Sequence, residues 1–133
     1  MKSPGHQQHP EHQVRERPVP GKMRVRLGAD VLAESADVIE VDEDDNPPRF
    51  YFPRGDVRMD ALERTSTPTY CPFKGDGVLY AMTVGDGELP DAAWSYEAPY
   101  DEHAALKDRI AFWSEKYDGL VFETPSLASR SQR

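Results

Sequence analysis

Apolar and polar side chains alternate with a period of two over much of the chain. Met23, Val25 and Leu27 are interleaved with Arg24 and Arg26, the pattern of a strand with one buried face. Gly28-Ala29-Asp30 then turns the chain into a second strand over Val31–Glu34, and Val38–Val41 supplies a third. Arg49–Pro53 reads as a short aromatic strand around Phe50-Tyr51-Phe52. Val78–Val84 is apolar on both faces, which suits a central strand covered on both sides. Gly85-Asp86-Gly87 is a hairpin signal into a return strand over Glu88–Tyr96, bent at Pro90 and Asp91. Arg109–Trp113 and Gly119–Glu123 close the sheet. Helical signals are confined to a turn over Val57–Leu62, capped by the Asp56 carboxylate, and one over His103–Lys107. The class is mainly β, with about eight short, mostly antiparallel strands and one or two helical turns.

The two ends break this pattern. Residues 1–22 hold Pro4, Pro10, Pro18 and Pro20 and almost no large apolar side chain, so they are expected to be a disordered arm. Residues 23–125 form a single domain, a size that one core can support, and 126–133 are a polar, flexible end. His6, His9 and His12 recur at a spacing of three, but on a floppy polar segment they are not expected to form a specific metal site. The acidic run Asp42–Asp45 before Asn46-Pro47-Pro48 reads as a solvated loop, and neither metal nor cofactor is expected.

Composition narrows the functional classes. No apolar run, from Val31–Ala33 and Phe50–Phe52 to the longer Val78–Met82, approaches the length of a membrane span or a signal-peptide core. The single cysteine, Cys71, can make neither an intramolecular disulfide nor a multi-thiolate zinc site, and a reducing cytoplasm is the expected compartment. The formal charge is −8, and both ends are net basic, so the segment between them is more acidic still. Such a body repels phosphate backbones, so neither nucleic acid nor a membrane is an expected partner. Phosphate-binding glycine loops, HExxH and GxSxG are all missing.

Three clusters mix aromatic side chains with reactive groups. In Tyr51-Phe52-Pro53-Arg54-Gly55-Asp56-Val57-Arg58, the arginines and the aspartate could hold a carboxylate or phosphate, or could pair structurally. In Tyr70-Cys71-Pro72-Phe73-Lys74-Gly75, a thiol lies three residues from an ammonium group, the setting of a nucleophile or of a small buried hydrophobe. His103 is the one histidine outside the arm that could serve it as a base. In Ala93-Trp94-Ser95-Tyr96-Glu97, Trp94 and Tyr96 share a strand face and, with Tyr51, Tyr80 and Trp113, could line a pocket or fill a core.

These motifs carry a resemblance. Tyr51-Phe52-Pro53-Arg54-x-Asp56-Val57, Cys71-Pro72-Phe73-Lys74-Gly75 and Ala93-Trp94-Ser95-Tyr96-x-x-Pro99, in that order between Met23 and Glu123, closely resemble the signature of the domain of unknown function 427 family, also labelled a nucleotidyltransferase domain. The resemblance implies a β-tent-like fold of two antiparallel sheets, similar to methionine sulfoxide reductase B and the thalidomide-binding domain of cereblon. Many of those relatives hold zinc between two Cys-x-x-Cys knuckles, which one cysteine cannot reproduce. The carboxylate pair that metal-dependent nucleotidyl transfer requires is also missing. The expected site is a cleft where Tyr51, Arg54, Asp56, Cys71, Lys74, Trp94 and Tyr96 converge. There Arg54 and Lys74 would hold the anionic group of an unidentified small molecule, Asp56 would orient Arg54, and the rings would stack a planar part. Whether the domain catalyses a reaction is open. The alternatives are a structural or protein-interaction module, and a thiol-dependent enzyme using Cys71.

Overall fold

The computed structural model describes residues 1–84 and 87–124. Among the described residues, ten strands form two antiparallel sheets. They are β1 (Val14–Pro18), β2 (Met23–Leu27), β3 (Asp30–Ser35), β4 (Ile39–Glu43), β5 (Arg49–Phe52), β6 (Leu62–Cys71), β7 (Gly75–Val84), β8 (Gly87–Pro99), β9 (Ile110–Phe112) and β10 (Leu120–Glu123). The large sheet runs β1-β4-β5-β9-β8-β7-β6 and the small one β10-β2-β3. The mainly-β reading and the two antiparallel sheets therefore hold. The β7–β8 hairpin pairs Val84 with Gly87, while Gly85 and Asp86 themselves, like the C-terminal residues 125–133, lie outside the described residues. No described helix is long and apolar enough to cross a membrane.

Strict alternation divides the large sheet into two faces. In β5, Phe52 is fully buried against the small sheet's side of the molecule, together with Val25, Leu32, Met82, Ile110 and Phe112. Tyr51, one residue earlier, points the other way, into a second cluster with Val41, Tyr96, Leu106 and Ala111. The first cluster is the main core, and each of its large side chains contributes roughly 1.5–3 kcal/mol on burial. The second face is more open, and its aromatic groups are left to line a hollow.

One strand, one turn and its cap depart here from the sequence expectation. The Thr-Ser-Thr-Pro-Thr stretch with Pro68 is strand, as part of β6, because β6 lies at the sheet edge where a proline without an N–H is tolerated; the pairing shifts between Arg64 and Pro68. The expected turn over Val57–Leu62 is replaced by short 3-10 turns at Arg54–Asp56 and Met59–Ala61, neither with a side-chain cap, so Asp56 does not play the capping role. A 3-10 segment over Asp101–Leu106 covers most of the expected turn at 103–107.

The largest difference is at the N-terminus. The segment expected to be a disordered arm contains helix α1 (Pro4–Gln8) and β1, which pairs with β4 from Val14↔Glu43 to Pro18↔Ile39. Ser3 caps α1 by accepting from the His6 N–H at 3.2 Å, and Pro4 supplies a first-turn residue that needs no donor. Gly5 is buried because a Cβ there would lie 2.8 Å from the Pro72 carbonyl oxygen and from the Phe73 ring. Local composition is a poor guide here because the arm gains its order from remote polar and ring contacts rather than from its own apolar surface.

Candidate functional site

On the second face of the large sheet, a hollow of about 260 Å³ opens between the ends of several strands. Its floor is Tyr51 from β5 with Trp94 and Tyr96 from β8, which share a face because they are two residues apart. Leu79 lies on β7 directly across from Trp94. Thr69 and Cys71 come from the end of β6, and Lys74 from the turn that joins β6 to β7. Glu43, Asn46, Arg49 and Trp113 complete the rim.

Lys74 is buried to 5% exposure, which requires a counter-charge. Its Nζ donates to Glu43 Oε1 at 2.6 Å, and Cys71 Sγ lies 3.9 Å from the same nitrogen. The other Glu43 oxygen meets His12 Nε2 at 2.9 Å. Burial pushes the Glu43 carboxyl up, but the hydrogen bonds from Lys74 and His12 more than offset it and hold it below the usual carboxylate range. Glu43 is therefore the hub of a chain running from the arm through Lys74 to the thiol.

The phenols form the second half of the site. Trp94 Nε1 donates to Tyr51 Oη at 3.0 Å, so the Tyr51 hydroxyl keeps its own hydrogen for another acceptor. Tyr96 is 8% exposed and lines the hollow, where its hydroxyl is reached by solvent rather than sealed off unpaired. Burial raises both phenols well above the ordinary tyrosine value, Tyr96 additionally through its proximity to Tyr51. Both thus remain neutral donors. Arg49 lies over the Trp94 ring at 5.4 Å and donates to Glu115 at 2.6 Å.

Five of the seven expected site residues meet here: Tyr51, Cys71, Lys74, Trp94 and Tyr96. Arg54 and Asp56 do not. Arg54 Nη1 donates to Tyr80 Oη at 2.9 Å, Nη2 to Ser95 Oγ at 3.0 Å and Nε to the Asp108 carbonyl at 2.9 Å. Tyr80 and Ser95 neighbour Leu79, Trp94 and Tyr96 along their strands and so point through the opposite face of the sheet. Arg54 is a cross-strand clamp, and its carboxylate neighbour is Glu97 at 3.7 Å rather than Asp56. Asp56 is exposed, on a separate shallow hollow beside β3. Trp113 joins the site and Tyr80 does not.

Three contributors escaped the sequence reading. Glu43 was assigned to a solvated loop, yet Ile39, Val41 and Glu43 continue one strand alternation, and that signal places the carboxylate on the buried face. Arg49 opens β5 two residues before Tyr51 and shares its face for the same reason. His12 carries no local signal at all.

The motifs at Tyr51, Cys71–Gly75 and Trp94–Tyr96 thus converge on one face of one sheet, and a family model covers them all. The model described as Domain of unknown function (DUF427) matches residues 15–123. The chain belongs to this family. The DUF427 match begins within β1, so it includes the strand that ties the arm to β4 as well as every strand that lines the hollow. No curated protein matches the chain.

Proposed function

We propose that the domain binds a small molecule in the hollow over Tyr51, Trp94 and Tyr96. The volume is just below the ~300–1,000 Å³ of typical ligand sites, which favours a compact ligand. The donors outnumber the acceptors, so the ligand carries an acceptor group, a carboxylate or carbonyl, beside a flat part that rests on the Trp94 and Trp113 rings. The observation that carries this reading is that Tyr51, Trp94 and Tyr96 line one hollow, where the Tyr51 hydroxyl accepts from Trp94 and so keeps its own hydrogen for a ligand. A hydrogen bond to a charged acceptor is worth about 1.5–3 kcal/mol, which a ligand carboxylate gains from these hydroxyls. Lys74 and Arg49 flank that acceptor while each stays paired with its own carboxylate, Glu43 and Glu115. A single cysteine in the chain fits a reducing cytoplasm as the compartment.

Isothermal titration of small carboxylates, beginning with benzoate, tests the reading. Tyr96→Phe should weaken binding about tenfold or more while leaving the fold intact, since one hydrogen bond to a charged group is removed. Equal affinity in both proteins for every ligand, or no binding at all, refutes it.

A second reading, thiol-dependent catalysis by Cys71, is favoured by one contact: the sulfur lines the hollow 3.9 Å from the Lys74 ammonium. Iodoacetamide should then alkylate the native protein faster than the urea-unfolded chain, and a slower native rate discards this reading.

A further inference from the structure

Residues 1–18 are fastened to one wall of the hollow. Ser3 Oγ and the Gly5 N–H both donate to the Pro72 carbonyl, at 2.7 and 2.9 Å. The His12 ring stacks on Phe73 with centroids 4.5 Å apart, while its Nε2 meets Glu43. Pro72 and Phe73 form the turn between Cys71 and Lys74, and Glu43 is the carboxylate that holds Lys74 in place. The arm therefore grips the same turn and the same counter-charge that define one end of the site.

The grip includes a contact with a limited capacity for charge. His6 Nε2 and His103 Nε2 are 2.9 Å apart, and His103 is 2% exposed. Two ring nitrogens at this separation share one hydrogen, so the pair accepts at most one positive charge; with both rings protonated, two N–H groups meet head to head. His103 also contacts Glu16 of β1 through Nδ1. His6 faces His103 and Glu102 from the Asp101–Leu106 segment, His12 from the arm and Glu43 from β4. Burial first, and His103 next, outweigh the carboxylates and hold His6 below the ordinary histidine value of 6.5.

We propose that the N-terminal arm is a proton-operated strap on the site: docked while the His6–His103 pair carries no more than one charge, and released, with loss of ligand hold, when both rings are charged. The regulatory half of this proposal rests on reading the hollow as a ligand site. The sign follows from linkage. With His6 held low, the docked arm binds fewer protons at this ring than the free arm, so docking is fully present above the free histidine value, weakens by up to about tenfold per pH unit as the pH falls from there to the lower docked value, and levels off below it.

Hydrogen exchange of the arm amides, corrected for intrinsic rate and measured at about pH 7.5 and about pH 5.5, is the test that needs no ligand. The Gly5 and His9 amides should lose protection, by up to about tenfold, at the lower pH in the wild type and keep it in His6→Phe, or in His6→Leu if the first variant folds poorly. Unchanged protection in the wild type, or equal loss in the variants, overturns the strap. Benzoate titration at the same two values, where the ligand stays ionised, should show affinity falling with pH in the wild type and not in the variants. If the arm releases and benzoate affinity does not change, the regulatory link is overturned. If benzoate binds at neither pH, the binding reading fails and takes the regulatory link with it, while the exchange result still decides the strap.

Discussion

Replacing Arg54 with alanine separates a structural clamp from a ligand-binding cation. The guanidinium bridges the Tyr80 hydroxyl, the Ser95 hydroxyl and the Asp108 carbonyl, so it ties β7 and β8 to the loop before β9. Ser95 is 0% exposed and Tyr80 4%, and the alanine variant leaves both hydroxyls without their donor. Hydrogen bonds to a charged group are worth about 1.5–3 kcal/mol each. The Arg54 side chain is 32% exposed, so water entering the space satisfies part of what is lost, and the expected net cost is about 2–3 kcal/mol. For a chain of 133 residues, with an unfolding entropy of about 2.1 cal/mol/K per residue, each kcal/mol lowers the midpoint by about 4 °C. Thermal unfolding followed by circular dichroism should therefore show a drop of about 10 °C, with Arg54→Lys recovering only part because it lacks the planar fork. Benzoate affinity of the folded variant should be unchanged. An intact melting temperature combined with lost affinity would refute the assignment and return Arg54 to the site.

Gly5→Ala tests the packing of the arm alone: its Cβ would meet the Pro72 backbone oxygen, which cannot swing aside, so arm docking should weaken by about 1–3 kcal/mol in hydrogen exchange while the melting temperature of the sheets barely moves. Lys74→Met should cost about 3 kcal/mol in urea unfolding at neutral pH, because Glu43 loses its main counter-charge; adding Glu43→Gln should restore much of it, and strictly additive losses would mean that the two residues do not act as a pair. Since the Glu43 carboxyl is held low in the folded state, the stability from this pair is present above its ordinary value of 4.5 and is lost as the pH falls through the folded one, so the cost of Lys74→Met should shrink in acid.

The strand alternation was legible from the sequence wherever one face is buried, as with Met23, Val25 and Leu27 or with Phe50 and Phe52, because a one-residue slip would turn those side chains to solvent. The same alternation delivered Tyr51, Trp94 and Tyr96 to one side. Arg54 lies close to Tyr51 in sequence but not in space: β5 ends at Phe52, and the 3-10 turn after Pro53 sends the guanidinium to Tyr80 and Ser95 on the other face of the sheet. β6 was hidden by a composition rich in threonine and proline that only an edge position admits. The arm was hidden for a different reason. Ahead of the β1–β4 ladder, its order is made of single long-range contacts, from Ser3 to Pro72, from His6 to His103 and from His12 to Glu43, and none leaves a periodic trace.

The charges around the hollow cancel in pairs, Lys74 with Glu43 and Arg49 with Glu115. A ligand carrying several negative charges, such as a nucleoside triphosphate, would have to displace these carboxylates or lie beside them, in a domain whose body is already acidic. A single carboxylate or a carbonyl asks for less, because the neutral Tyr51 and Tyr96 hydroxyls serve it without any ion pair being opened. Affinity for benzoate should then depend only weakly on ionic strength, since its binding energy comes from neutral donors and ring contact rather than from exposed charge. A steep loss of affinity with added salt would mean instead that Lys74 or Arg49 leaves its partner to hold the ligand, and the site would have to be rebuilt around a free cation.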